Sequence, residues 1–325
     1  MILRTPSYYD DFKCIADKCT DNCCVGWEID IDEITAEKYF SIGGEFGERL
    51  KSSITMENPS FIPDEKGRCP FLNKDNLCDI ILHSGEDMLC DICSNHPRYF
   101  EWFGDIKEGG TGLSCEESAR IILSSEFSVS EREIPDEETD FPDEEIYDFL
   151  SASREKIIAY LMNENIPLKN ALSDISRYAN ALQNALDNED FSLPEIKSFG
   201  EEFSPDIKKG LDFLLTLEQL SPEWEPYIVS MKESITDEKI FVPKTEKYLR
   251  NIAVYFIWRY FLKSVYDGEI ILKINLMATS VCLLSFLFSK SDFSLENCSL
   301  IAKNFSKEIE YSDENVEALS YFCLL

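Results

Sequence analysis

Nine of the twelve cysteines of this chain fall within its first 115 residues. They are Cys14, Cys19, Cys23, Cys24, Cys69, Cys78, Cys90, Cys93 and Cys115. Thiolates at this density and spacing bind soft metal ions or iron–sulfur clusters. The first group lies in KCIADKCTDNCCVGW. Ligands separated by two to four residues curl around one ion, because the loop between them is just long enough to turn. Cys23 and Cys24 are adjacent and are expected to point in different directions. The second group lies in GRCPFLNKDNLCDI, where Asn73-Lys74-Asp75-Asn76 reads as a turn. A hairpin there would bring Cys69 and Cys78 together at its base. LCDICSNHPRYF then places Cys90 and Cys93 in a C-x-x-C. In LSCEESARIIL, Ser114 and Glu117 form a capping box, which puts Cys115 at the first position of a helix reaching about Leu123. A helix N-terminus stabilises a thiolate there.

The bland alternatives are specific. A lone buried cysteine is most often a small hydrophobe, and Cys282, Cys298 and Cys323 are read that way. The metal of the N-terminal set could be purely structural, stapling a loop-rich region that lacks a core of its own. The chain has two histidines, His83 and His96, so a zinc site with three histidine ligands is excluded. All-cysteine ligation suits structural zinc or a [4Fe–4S] cluster, and spacing alone does not choose between them. The triplet C-x3-C-x2-C is not present, because Cys24 follows Cys23 directly.

Elements that must position these sulfurs are legible in part. Residues 1–125 are cysteine-rich, with short elements and many turns. Residues 126–145, EFSVSEREIPDEETDFPDEE, read as an acidic linker or surface loop. From 146 to 325 the pattern is helical. Ile146, Phe149, Leu150, Ile157 and Leu161 share one face, and Leu168, Leu172, Ile175, Tyr178, Leu182 and Leu186 share another. Ser204-Pro205 and Ser221-Pro222 read as N-cap and first-position pairs of further helices. Lys247–Asp267 and Glu269–Lys290 read as two long apolar helices with Gly268 between them. The fold class is therefore mainly α: an irregular cysteine-rich metal-binding part with short β elements, followed by an all-α helical domain.

Of the 325 residues, 62 are acidic and 31 basic, a net charge of −31. That balance argues against nucleic acid and an anionic membrane surface, and it favours a cationic partner. The apolar stretch Ile270 to Phe288 is broken by Lys273 and Asn275, so it reads as a buried helix. MILRTPSYYDDFKC holds no apolar run of signal-peptide length. The expectation is a cytoplasmic protein whose thiols stay reduced and bind metal.

At this point a resemblance emerges. C-x4-C-x3-CC-x2-W-x-I-x-I-D covers Cys14, Cys19, Cys23, Cys24, Gly26, Trp27 and Asp32. It is followed by Cys69-Pro70-Phe71-Leu72, Cys78, Cys93, Pro97-Arg98 and Cys115 ahead of an apolar helix. This order resembles the flagellin lysine-N-methylase (FliB-type) family. The cysteine set is also similar to the zinc- or iron-chelating domain of shorter proteins. The run Tyr255 to Ile270 resembles the family's helical half. His96 stands where the family has an aromatic residue, Glu116 where it has proline, and Cys90 is extra.

The resemblance implies methyl transfer from S-adenosylmethionine to the ε-amine of lysines on flagellin or another lysine-bearing protein. It also implies an iron–sulfur cluster, [4Fe–4S], held within Cys14, Cys19, Cys23, Cys24, Cys69, Cys78, Cys93 and Cys115, with zinc as the alternative. The competing function is a non-catalytic zinc- or iron-chelating protein. No glycine-rich strand–helix signature for a cosubstrate is seen; GDIKEGGTG, Gly104 to Gly112, reads as a turn. Methyl transfer needs a neutral lysine, whose ordinary pKa is about 10.4. An apolar aromatic site lowers it by desolvation. HPRYFEWF offers Tyr99 and Glu101 as proton acceptors or amine-positioning groups. Trp27, Arg98 and Trp102 are candidate cosubstrate contacts. Arg68 and Arg98, beside Cys69 and Cys93, could offset the charge of a thiolate-bound cluster. The bland reading of the aromatics is core packing.

Overall fold

The computed structural model describes residues 1–26, 29–200, 205–236 and 240–324. The chain divides into two compact units. One holds Phe12–Tyr99 with Cys115–Glu117, and contains all nine N-terminal cysteines. The other holds Met1–Asp11, Phe100–Ser114 and Ser118–Leu325.

The cysteine-rich unit is built from short helices joined by irregular backbone. These are α1 (Glu33–Ser41), α2 (Gly44–Ser52), α3 (Asp79–Ser84) and α4 (Asp91–Asn95). Pairing between its extended segments is confined to isolated bridges among the described residues. Its core is small: Tyr39, Leu50, Phe61, Phe71 and Ile80 pack around the fully buried Cys90. Asp32 caps α1, accepting from the Thr35 N–H at 2.8 Å, and its other oxygen accepts from the Asp91 N–H at 3.0 Å. One carboxylate thus ties the starts of α1 and α4 together.

The second unit carries a four-stranded sheet in the order β2-β3-β1-β4, with β1 (Ile2–Pro6), β2 (Arg98–Phe103), β3 (Ile106–Thr111) and β4 (Val129–Glu133). β1 runs parallel to β3, pairing Ile2 with Ile106, and antiparallel to β4, pairing Leu3 with Arg132. The cysteine-rich unit is thus an insertion in the chain between β1 and β2. GDIKEGGTG is mostly β3, not a turn. Phe100 lies against Gly109, where a side chain would meet its ring at 3.0 Å, and Trp258 Nε1 donates to the Gly109 carbonyl.

Among the described residues, the unit also carries the α-helices α5 (Glu116–Ser124), α6 (Glu144–Leu161), α7 (Leu168–Asp187), α8 (Ile207–Leu214), α9 (Trp224–Glu233), α10 (Glu246–Tyr260), α11 (Ser264–Asp267), α12 (Ile270–Ser289), α13 (Leu295–Glu310) and α14 (Asp313–Tyr321). The fold is the expected one, with an N-terminal region of short strands and most cysteines followed by a largely α-helical region. α12 is long and apolar enough to cross a membrane, yet 78% of its most apolar window is buried against its neighbours. It packs on α7, α8, α10, α13 and α14. Gly268 ends α11 in the left-handed region, φ +71°, as its place between the two apolar segments predicts. Ser204 lies outside the described residues, and α8 is capped by Asp206. The helix after Pro222 begins only at Trp224, once its N–H has bonded the Ser221 carbonyl.

Two buried polar clusters hold this unit together. Arg154 of α6 grips Glu108 of β3 through two bonds of 2.6 Å, its guanidinium 4.2 Å above the Trp258 ring. Glu310 of α13 accepts from the Tyr255 and Tyr260 hydroxyls at 2.8 Å and pairs with Arg259. The Leu113 N–H in turn donates to the Tyr255 hydroxyl at 3.1 Å.

Candidate metal centre

The first two cysteine groups meet through their backbones. The Cys69 N–H donates to the Cys24 carbonyl at 2.8 Å, Val25 bridges Arg68, and the Gly26 N–H donates to the Gly67 carbonyl at 2.9 Å. Gly26 and Gly67 both have positive φ, and a side chain on Gly67 would meet the Gly26 backbone at 3.4 Å. Both backbones sit in the left-handed region that favours glycine. The predicted hairpin forms. Leu72 bridges Cys78, and Asn73 Oδ1 accepts from the Asp75 and Leu77 N–H groups. Arg49 ties its base to α2, donating to Asp79 and to the Pro70 carbonyl. Arg68 donates to the Asn73 carbonyl and to Asn76, so it staples the turn. Cys78 caps α3 and Cys90 caps α4, with Cys93 inside α4.

These anchors gather five thiols. Cys24 feels the fields of Cys69 and Cys78, and Cys93 those of Cys90, Cys24 and Cys69. Cys69, Cys78, Cys90 and Cys93 all pack on the small apolar core. Burial pushes the Cys69 thiol up to about 11, aided by its sulfur neighbours and opposed by backbone N–H groups. Burial likewise raises Cys78. Cys93 donates to Cys90, which raises Cys93 and lowers Cys90. Five sulfurs in a low dielectric do not ionise together without a cation among them.

A second cluster surrounds Cys23. Its thiol accepts from Cys24, which pulls it down to about 4 against burial, with His96 helping. The adjacent thiols therefore do not point apart; they bond each other. The Cys19 thiol donates to the Asp21 carbonyl at 2.8 Å and lies 3.7 Å from Glu116. Burial pushes it up to about 11. Glu116 also accepts from the Thr20 N–H and hydroxyl. Thus His96 and Glu116, the two departures from the resembled pattern, both contact the first cysteine group.

Cys14 is exposed, and its sulfur accepts from the Ala16 N–H at 3.4 Å. Cys115 precedes α5 instead of opening it, since the helix starts at Glu116. Cys282 and Cys298 are buried, as expected of small hydrophobes, whereas Cys323 is exposed. Cys90, set aside as extra, is a full member of the thiol set. Its complete burial was legible only as a C-x-x-C partner of Cys93.

In donor chemistry the set fits a thiolate-bound metal ion or iron–sulfur cluster. In geometry it is open: among the described residues, no three His, Cys, Asp or Glu side chains stand where they could hold a metal ion.

The other candidates separate between the units. Trp27 lies outside the described residues. Arg98, in the cysteine-rich unit, sets its guanidinium 5.2 Å above the Phe12 ring. Tyr99 is half-buried in that same unit. Glu101 and Trp102 belong to the helical unit. Glu101 pairs with Lys263 at 2.6 Å, and Trp102 Nε1 donates to Glu137 at 2.7 Å. Both line a cleft of about 430 Å³ with Glu137, Glu138, Thr139, Asp140 and Tyr266.

Comparison with known proteins places the helical half. Residues 154–323, from within α6 through α14, match the FliB lysine N-methylase C-terminal domain. A lysine-N-methylase of Salmonella choleraesuis (strain SC-B67) is 28% identical over 139 residues, 40% of this chain and 35% of that protein. The lysine-N-methylase of Salmonella typhimurium gives the same identity and coverage. The flagellar biosynthetic protein FliU of Salmonella muenchen is 28% identical over 127 residues, 37% of this chain and 75% of that protein. The chain thus spans about a third of the two lysine-N-methylases. No solved structure matches.

Proposed function

We propose a function that starts from kinship: this chain belongs to the FliB lysine N-methylase C-terminal domain family, which its residues 154–323 match. The function is methyl transfer from S-adenosylmethionine to the ε-amine of a lysine on flagellin, or on another lysine-bearing protein, with a cysteine-held iron–sulfur cluster. The relatives' names, lysine-N-methylase and flagellar biosynthetic protein, support the reaction and the flagellar setting. The observation that carries the cofactor is the gathering of Cys69, Cys78, Cys90 and Cys93 on one small core, with the Cys24 backbone bonded to that of Cys69. We place the reaction in the cytoplasm, where thiols stay reduced.

In the reaction a carbon–sulfur bond breaks, a carbon–nitrogen bond forms and the amine gives up one proton. Held by these thiols, the cluster would supply an inorganic platform for the cosubstrate. The chain's own residues do the rest. Cys24, Cys69, Cys78 and Cys93, with Cys90, would hold the cluster; Cys19 and Cys23 keep the ligand role that the resemblance gives them, the Cys23 thiol being bonded to that of Cys24. Cys14 and Cys115 keep the ligand role that the resemblance gives them. Arg98 is assigned to the cosubstrate. Tyr99, in the cysteine-rich unit, and Glu101, in the helical unit, are alternative proton acceptors or amine-positioning groups, and Glu101 already faces the Lys263 ammonium. Trp102, a cosubstrate candidate by sequence, lines the same cleft as Glu101.

The test is anaerobic purification, metal analysis and incubation with labelled S-adenosylmethionine and a flagellin. Iron with inorganic sulfide and label on lysine are expected. Cluster-loaded protein that binds flagellin and transfers no label would overturn the catalytic reading and leave a metal-binding protein. Zinc without iron would overturn the cluster.

A further inference from the structure

We propose that the cleft lined by Glu101, Trp102, Glu138, Asp140 and Tyr266 in the helical unit is a docking site for a lysine side chain on an exposed polypeptide segment. It deepens the reading above by locating substrate recognition, and it rests on that reading only for the partner's identity.

The walls combine aromatic faces with carboxylates. Trp102 is 37% exposed and Tyr266 55%, and Phe141, 72% exposed, lies against Gly104 at the end of β2. The Tyr266 hydroxyl donates to the Trp102 carbonyl at 2.5 Å, which fixes the two rings to one another. Four carboxylates, Glu101, Glu137, Glu138 and Asp140, line the same space. An ammonium gains from a ring face and a carboxylate at once.

This part of the chain already shows how its walls treat ammonium groups. Lys107 Nζ bonds Glu137 at 2.7 Å while standing 4.6 Å above the Trp102 ring and 4.8 Å above Phe100. Lys263 Nζ bonds Glu101 at 2.6 Å. Those two cations match Glu137 and Glu101. Glu138 and Asp140 have no ion-pair partner among the described residues, so the cleft keeps an unmatched negative charge beside its aromatic walls. That charge is felt at Tyr266, whose hydroxyl is raised by burial and then by Glu101 and Asp140. A volume of about 430 Å³ suits an extended side chain with its flanking backbone. The net charge of −31 draws a cationic segment towards the molecule and repels phosphate-bearing ones.

The experiment uses the whole protein without S-adenosylmethionine, so methyl transfer does not enter. An unstructured peptide of lysine, serine and glycine is titrated by calorimetry, beside the same peptide with every lysine acetylated. The lysine peptide is expected to bind and the acetylated one to bind at least tenfold more weakly. Glu138→Gln with Asp140→Gln, and separately Trp102→Leu, are expected to weaken binding about fivefold or more. Glu314→Gln with Glu317→Gln on α14 removes the same charge from elsewhere and is expected to weaken it less than twofold. An unchanged thermal transition shows that each variant is folded; Trp102→Phe, which keeps a ring, is expected to bind nearly as well as the parent, and a loss equal to that of Trp102→Leu would overturn the part given to the ring. Equal weakening by both carboxylate pairs would overturn the site in favour of general acidity. Equal binding of both peptides, or no binding of the lysine peptide, would overturn lysine recognition. Protein that methylates lysine while its cleft variants bind like the parent would sink the cleft and spare the reaction.

Discussion

Cys90 is the residue whose replacement separates a ligand set from a packed core. Its thiol is wholly buried and bonded to Cys93, so the two act as one unit. Cys90→Ser and Cys93→Ser are expected to lower bound iron or zinc to a similar extent, read as metal per folded protein. Cys298→Ser, buried in the helical unit, should leave metal content unchanged. Retention of full metal content by Cys93→Ser would count against the whole thiol assignment. A different residue-scale prediction concerns Glu108. Its pair with Arg154 is nearly inaccessible, with 5% and 1% of the side chains exposed. Removing one partner of such a pair strands the other charge, which costs about 3–5 kcal/mol. Glu108→Ala should therefore lower stability by about that amount in denaturant titrations; a loss under about 1 kcal/mol would mean water reaches the guanidinium.

Asp32 carries the corresponding argument for elements. It caps α1 and also accepts from the first N–H of α4, so it sets the angle at which Cys90 and Cys93 are presented. Burial opposes its ionisation, but the N–H groups of Asp91 and Thr35 outweigh burial and hold its carboxyl below the usual range. A carboxyl depressed in the folded state stabilises above its unfolded pKa of about 3.9, and that contribution is lost as pH falls through the folded value. The cysteine-rich unit is thus expected to weaken on acidification below about pH 4. Asp32→Ala should cost about 1 kcal/mol at neutral pH and flatten that acid limb, read by circular dichroism.

How far elements could be read ahead follows from range. The 69–78 hairpin was legible because its turn is local, with Asn73 satisfying two nearby N–H groups. α10 and α12 were legible from apolar length and Gly268. β3 was not, because its glycines answer to Phe100 and to a β1 strand about a hundred residues away. The start of α5 moved by one residue because a capping box marks a neighbourhood, not a position. The meeting of Cys24 with Cys69 left no trace in either segment's periodicity, since its signal is two glycines with positive φ on opposite strands.

At the scale of the molecule, the two units have unequal means of standing alone. The helical unit buries α10 and α12 almost entirely and locks them with charged clusters at Glu108 and Glu310. The cysteine-rich unit has helices of five to nine residues and isolated bridges in place of a sheet. Helices that short are marginal in water, and five thiols, Cys90 buried and the other four half-buried, add desolvation. A thiolate-bound metal contributes on the order of 10 kcal/mol to folding in comparable small sites. Stripping it anaerobically with a chelator is therefore expected to loosen one unit and spare the other. Hydrogen exchange should accelerate at Cys69, Leu72 and Asp79, whose N–H groups close the ladder and hairpin, while α10 and α12 keep their protection. Uniform protection before and after stripping would mean that the small apolar core, and not an inorganic group, holds these sulfurs together.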